Sequence, residues 1–186
     1  KMSKLTPYES SLTDAQWLLL FIFLPKPKSG KGRRGRPALN LRLVIDAILY
    51  VTKTGCQWRM LPQEFGNWNS IYYYFWKFRK EGVRHEIESA LLKMERERQN
   101  RNPEPSAGCV DSQSVKTATQ GIDVGYDGGK MTDGRKRHIL VDSLGLILAV
   151  FVTAANFSER KGLQHLVLDY FANGVKRLRH IWVDGG

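Results

Sequence analysis

Residues 107–116 read AGCVDSQSVK. They follow a polar, proline-containing stretch, QNRNPEPSAG at 99–108, and there the apolar period changes from helical to strand-like. The segment reads as a strand that carries Asp111 outward. A Gly-rich basic stretch comes next, QGIDVGYDGGKMTDGRK at 120–136. RHILVDS, a turn at Leu144-Gly145 and LILAVFVTAA then predict a hairpin. Asn156 to Gly162 reads as a turn. LQHLVLDYFA predicts a helix with Leu163, Leu166, Val167 and Tyr170 on one face. RHIWVD is an apolar strand ending in Asp184. The order is strand, strand, strand, helix, strand. A right-handed crossover can place the last strand parallel to the first and beside it. Asp111 and Asp184 then converge, although 73 positions separate them. Two converging carboxylates suit hard ions such as Mg²⁺ or Mn²⁺. Spacing alone leaves the alternative open that each is a turn or cap residue.

Working back toward the N-terminus, the periodicity is helical. Thr13 and Asp14 are both N-cap types, and they predict a short helix over 13–24 closed by Pro25. It is apolar nearly all round, so it is expected to be buried. Residues 26–37, KPKSGKGRRGRP, hold six basic residues and no acid, and form a basic linker. Arg33, Arg34 and Arg36 can lie extended in a narrow minor groove, or can belong to a solvated connector. Asn40 caps a second helix over 40–54, ended by Gly55. A third starts near 67–69, with Trp68, Ile71, Tyr72, Phe75 and Trp76 on its apolar stripe. Tyr73, Lys77 and Lys80 lie opposite and are the candidates for DNA contact. A fourth covers 84–100, with Ile87, Leu91 and Met94 inward. Four short helices with a basic aromatic third suggest a helix-turn-helix-like module, although the connection before the third is longer than a tight turn.

Composition points the same way. The 186 residues are 42% hydrophobic, enough for a core, and carry a formal charge of +11. A clustered basic excess predicts a polyanion partner, nucleic acid, through counterion release, with a generic basic surface as the alternative. Cys56 and Cys109 lack ligand-type neighbours, so buried free thiols in a reducing compartment are expected. The longest apolar run, Trp17 to Pro25, falls short of the roughly 20 residues that span a bilayer. The opening Lys1-Met2 makes Met2 the expected natural start.

Several strings together resemble the bacterial insertion-sequence transposases of the DDE type. These are LTDAQWLLL, GRPALNLRLVIDAILYVTKTGCQWRMLP, WNSIYYYFWKFRKEG, DSQSVKT, GYDGGKMTDGRKRHILVDSLGLILAV, TAANFSERKG and IWVDGG, covering roughly 12–186. The resemblance implies an α+β or α/β chain. A helical DNA-binding domain at 1–102 precedes the first part of an RNase-H-like catalytic domain with a mixed sheet at 103–186. It implies Asp111 and Asp184 as the first two catalytic, metal-binding carboxylates and a two-metal Mg²⁺ or Mn²⁺ site. The family's third carboxylate, a later Glu, has no counterpart before Gly186. The chain is therefore expected to be C-terminally truncated and inactive, with an uncovered sheet face that favours self-association. Where the family usually has Asp, Glu159 stands, and no metal role is assigned to it. Lys116, Lys130, Arg135, Lys136 and Arg137, with His138 beside them, are expected to contact phosphates. Asp142 is expected to be structural, and Asp123, Asp127 and Asp133 to solubilise their loop. The implied activity is transposition, by metal-dependent phosphodiester cleavage and strand transfer on the double-stranded DNA of insertion-sequence ends. The alternative is a non-catalytic DNA-binding regulator or remnant. A cytoplasmic, nucleoid-associated location follows, with no membrane partner.

Overall fold

The structure, a computed structural model, describes residues 8–25, 39–117, 123–172 and 177–183. The chain divides into two compact units at Ser89/Ala90.

The first unit is helical. Helix α1 spans Asp14–Phe21, and Thr13 and Gln16 close a capping box at its start. Helix α2 spans Leu41–Thr54, capped by the Asn40 side chain and ended by Gly55 in the left-handed conformation. Gly55 fits because a side chain there is strained. Arg42 ties the two helices, donating to the Leu12 carbonyl at 2.8 Å and to Asp14 at 2.6 Å. Asp46 accepts from the Leu12 amide at 2.8 Å. Residues 55–67 are not a tight turn. They hold two 3₁₀ turns, Trp58–Met60 and Gln63–Phe65, and place Leu61 and Phe65 in the core. Helix α3 spans Trp68–Lys80. Leu41, Val44, Ala47, Ile71, Phe78 and Val83 fill the centre, and Tyr8 stacks on Phe65.

Three expectations for this unit are corrected. Helix α1 has no buried residue: Leu18, Leu19 and Phe21 are exposed, and only Trp17 of the helix packs on the core. Eight residues lying on one side of a small bundle cannot bury every face. On α3 the inward stripe is Ile71, Tyr74 and Phe78, whereas Tyr72 and Trp76 are exposed. Helix α4, Val83–Arg98, begins inside the first unit through Val83 and Ile87. Its Leu91 and Met94 are exposed rather than inward.

The second unit is a mixed sheet with one helix against it. Its strands are β1 (Ala107–Lys116), β2 (Gly125–Asp127), β3 (Thr132–Asp142), β4 (Ile147–Ala154) and β5 (His180–Val183). Helix α5 spans Glu159–Ala172, starting inside the segment expected to be a turn. Strand β3 pairs antiparallel with β1, β2 and β4, and β1 pairs parallel with β5. The expected adjacency of first and last strands is thus observed, with one strand more than expected, β2. Val110, Leu140, Leu166, Tyr170 and Leu178 form the core between sheet and helix. Gly162 lets α5 lie on the His138 ring, since a Cβ there overlaps the imidazole. The other sheet face carries Val150 and Val152, about half exposed at 47% and 50%, and Trp182 at 60%.

One buried ion pair anchors the entry to this sheet. Arg96, near the end of α4, pairs with Asp142 at the end of β3, and both side chains are almost fully buried. Arg96 also donates to the Asn102 carbonyl at 2.8 Å. Asp142 accepts from the Leu144 and Leu146 amides at 2.8 and 2.9 Å, closing the β3–β4 turn. Asp142 is therefore structural, as expected. Removing one partner leaves an uncompensated buried charge. Arg96→Met is expected to lower stability by about 3–5 kcal/mol, measured by urea unfolding. Adding Asp142→Asn to it should recover part of the loss.

Candidate functional site

Strand β1 is flanked on both sides, by β3 and by β5. Its alternation sets which residues share a face. Gly108 and Val110 are buried toward α5, whereas Cys109, Asp111 and Gln113 are exposed on the opposite side. Asp111 accepts a 2.7 Å hydrogen bond from the Ser112 amide. The parallel ladder runs Ala107↔His180, Gly108↔Ile181, Cys109↔Trp182 and Val110↔Val183. Asp184 lies outside the described residues, as do Arg33, Arg34 and Arg36.

Strand β3 sorts the basic segment by the same alternation. Arg135 and Arg137 are exposed and share the face of Asp111 and Gln113. Arg137 donates to Gln113 at 3.1 Å and sits across from it in register. Lys136 and His138 point the other way and are buried. Lys136 is therefore corrected as a phosphate contact: it pairs with Asp127 at 3.1 Å and Glu159 at 3.6 Å beneath the sheet. His138 is corrected likewise, with its Nε2 3.1 Å from the Thr153 hydroxyl. A buried lysine already neutralised by two carboxylates has no charge to offer a ligand. Lys130 is half-exposed, but it donates to the Ser112 carbonyl at 3.2 Å and to Glu159 at 3.3 Å. Lys116 is exposed across from Gly134, on the opposite parity to Asp111. Cys109, expected to be buried, is exposed.

Glu159 has a bonding role that the sequence did not reveal. It accepts from the Ser112 hydroxyl at 2.9 Å and so ties the start of α5 to β1 immediately after Asp111. The Ser112 hydrogen bond, then Lys130 and Lys136, hold its carboxyl below the ordinary range. Asp127 is not a loop solubiliser. It accepts from the Ser114 hydroxyl at 2.6 Å and from Lys136, which together hold its carboxyl well below the ordinary range.

In the helical unit, Tyr73, Lys77 and Lys80 fall along one face of α3. Tyr73 is exposed, Lys80 is exposed, and Lys77 is partly covered and 4.0 Å from Glu81. Trp76 joins this face at 49% exposure, with the Lys80 ammonium 5.0 Å from its ring centroid. Sequence reading placed Trp76 in the core; its spacing of three from Tyr73 and four from Lys80 is the signal that relocates it.

Oxygen donors of the Asp111 type fit a hard divalent ion. Among the described residues, however, no group of three or more His, Cys, Asp or Glu could hold a metal ion. None of the described helices is long and apolar enough to cross a membrane.

Two family models match the chain. One, described as "Putative transposase of IS4/5 family", covers residues 12–88, and one described as "Transposase DDE domain" covers 102–186. The second match makes the sheet unit RNase-H-like. The chain is 33% identical over 82 residues to the uncharacterized protein y4sN of Sinorhizobium fredii, covering 44% of this chain and 63% of that one. It is 39% identical over 56 residues to the insertion element IS402 uncharacterized 16.2 kDa protein of Burkholderia cepacia, covering 30% of this chain and 38% of that one. The chain thus spans less than two thirds of either relative. No solved structure matches.

The buried imidazole makes a pH prediction. Burial first, and then the Lys136 charge, hold His138 below its ordinary value of 6.5, with Glu159 opposing and Lys130 adding to the shift. The unfolded chain therefore binds the proton more readily than the folded one below that value. Stability from this group is complete above about pH 6.5 and is lost as pH falls toward the folded value. Thermal melts should show a decline in that window that His138→Gln flattens. The losses from Asp127 and Glu159 should come lower, as pH falls below their ordinary values of 3.8 and 4.5.

Proposed function

The chain belongs to the insertion-sequence transposases of the DDE type, and from that premise we propose that it acts on insertion-sequence DNA. The helical domain, residues 1–102, binds double-stranded element ends. The sheet domain, residues 103–186, carries two carboxylates of a divalent-metal site for phosphodiester cleavage and strand transfer.

The observation that carries the reading is the β1–β5 ladder. Its last described pair is Val110↔Val183, and the next residue of each strand in sequence is an aspartate, Asp111 or Asp184. Asp111 and Asp184 would hold the ion. When bound, a divalent ion of this kind activates a water or 3′-hydroxyl and stabilises the leaving oxygen. Arg135 and Arg137, on the Asp111 face, are suited to draw a phosphodiester toward that carboxylate and to position it without reading its sequence. Tyr73, Lys77 and Lys80 supply a second basic surface in the helical domain, with Arg33, Arg34 and Arg36 of the linker as further candidates. Lys116, on the opposite parity of β1, and Lys130, in the turn between β2 and β3, are further candidates. A DNA partner in a bacterial cell implies a cytoplasmic location. The exposed sheet face with Val150, Val152 and Trp182 supports self-association.

Three experiments test this. Binding to end-containing duplex should weaken steeply with salt, as phosphate neutralisation requires. With Mn²⁺, wild-type nicking that Asp111→Asn abolishes with DNA binding retained would support the catalytic reading. Binding without nicking in the wild-type chain would instead favour a non-catalytic regulator. Sedimentation should find dimers or larger species, which Val152→Lys shifts toward monomer. A wild-type monomer would remove the self-association claim.

A further inference from the structure

Helix α3 carries an aromatic surface that its core packing does not use. Ile71, Tyr74 and Phe78 face the bundle. Tyr73 and Trp76 face away, with 57% and 49% of their surface exposed. Tyr73, Trp76, Lys77 and Lys80 follow the spacing of one helical stripe. Lys80 lies over the Trp76 ring at 5.0 Å from its centroid, and the last turn also carries Lys77 and Arg79. Large rings held in water cost free energy, and a helix needing only positive charge for a DNA backbone gains nothing from them.

The chemistry that fits both features is a flat aromatic base attached to a phosphate. Rings stack on π-faces, and lysines beside them neutralise the adjoining phosphate. In an intact duplex the π-faces are covered by neighbouring base pairs, so the rings have no stacking partner there. An unpaired nucleotide exposes its face. We infer that the Tyr73–Trp76 face of α3 is a stacking platform for unpaired bases, so that the helical unit binds a single-stranded tail or frayed end in preference to blunt duplex. The inference rests on the DNA-binding reading above and sharpens it: the cations hold the backbone, and the rings select the unpaired state.

The test compares three DNAs against the full chain by fluorescence anisotropy at fixed salt. They are a blunt duplex, the same duplex with a short single-stranded tail, and that duplex with an abasic tail of equal charge. The tailed duplex is expected to bind roughly tenfold tighter than the other two, the scale of one stacked base. Trp76→Ala should erase that preference, so that tailed and abasic-tailed DNA bind alike, while Trp76→Phe should retain most of it. Lys77→Ala with Lys80→Ala should weaken all three DNAs alike. Equal wild-type affinity for the tailed and abasic DNAs, with duplex binding intact, overturns the stacking platform and leaves the DNA-binding reading standing. Absence of binding to any of the three overturns both. A Trp76→Ala chain that sediments as a smaller species without DNA would make the face a protein interface and also overturn the inference. The wild-type comparison of tails is independent of how any variant folds.

Discussion

The sheet unit depends on one constraint: β1 is paired on both sides, antiparallel to β3 and parallel to β5. Parallel neighbours cannot be joined by a tight turn, so the chain must leave the sheet and return. Helix α5 makes that crossing, and it can lie close because Gly162 presents no Cβ to His138. Two distant segments, each ending its apolar run in an aspartate, are thereby made neighbours. The buried Arg96–Asp142 pair fixes the far end of the same sheet, where α4 leads into β1 and β3 turns into β4.

The second organising fact is the two-residue period of β3. It divides a run of consecutive basic residues into two sets with opposite fates. Arg135 and Arg137 stand on the Asp111 face, where charge is useful to an anionic ligand. Lys136 and His138 lie beneath α5, where Lys136 is held by Asp127 and Glu159 and His138 is desolvated. The lower set is buried and internally partnered. Lys136 fastens the β2 segment and the start of α5 to the underside of β3, and His138 meets Thr153 of β4.

Much of this was legible in the sequence. Asn40, Thr13 and Gly55 marked helix ends by side-chain chemistry alone, and they are where the caps form. The strand, hairpin, helix, strand order foretold the parallel neighbour of β1. What escaped was tertiary. Nothing local distinguishes the buried Lys136 from the exposed Arg137; only the partners brought by β2 and α5 do. Trp76 read as core because it falls on an apolar helical stripe with Trp68, Ile71, Tyr72 and Phe75, yet the buried stripe of α3 is Ile71, Tyr74 and Phe78. Helix α1 was misjudged for the same reason, since apolar composition says what a residue prefers and not whether a neighbour exists to cover it.

The central claim is that Asp111 and Asp184 act as a pair toward a divalent ion. Manganese binding followed by electron paramagnetic resonance tests it most directly, without requiring DNA or turnover. The account predicts that the wild-type chain binds Mn²⁺ and that Asp111→Asn and Asp184→Asn each remove the binding, with the double variant no worse than either. Binding that survives in both single variants would contradict the account.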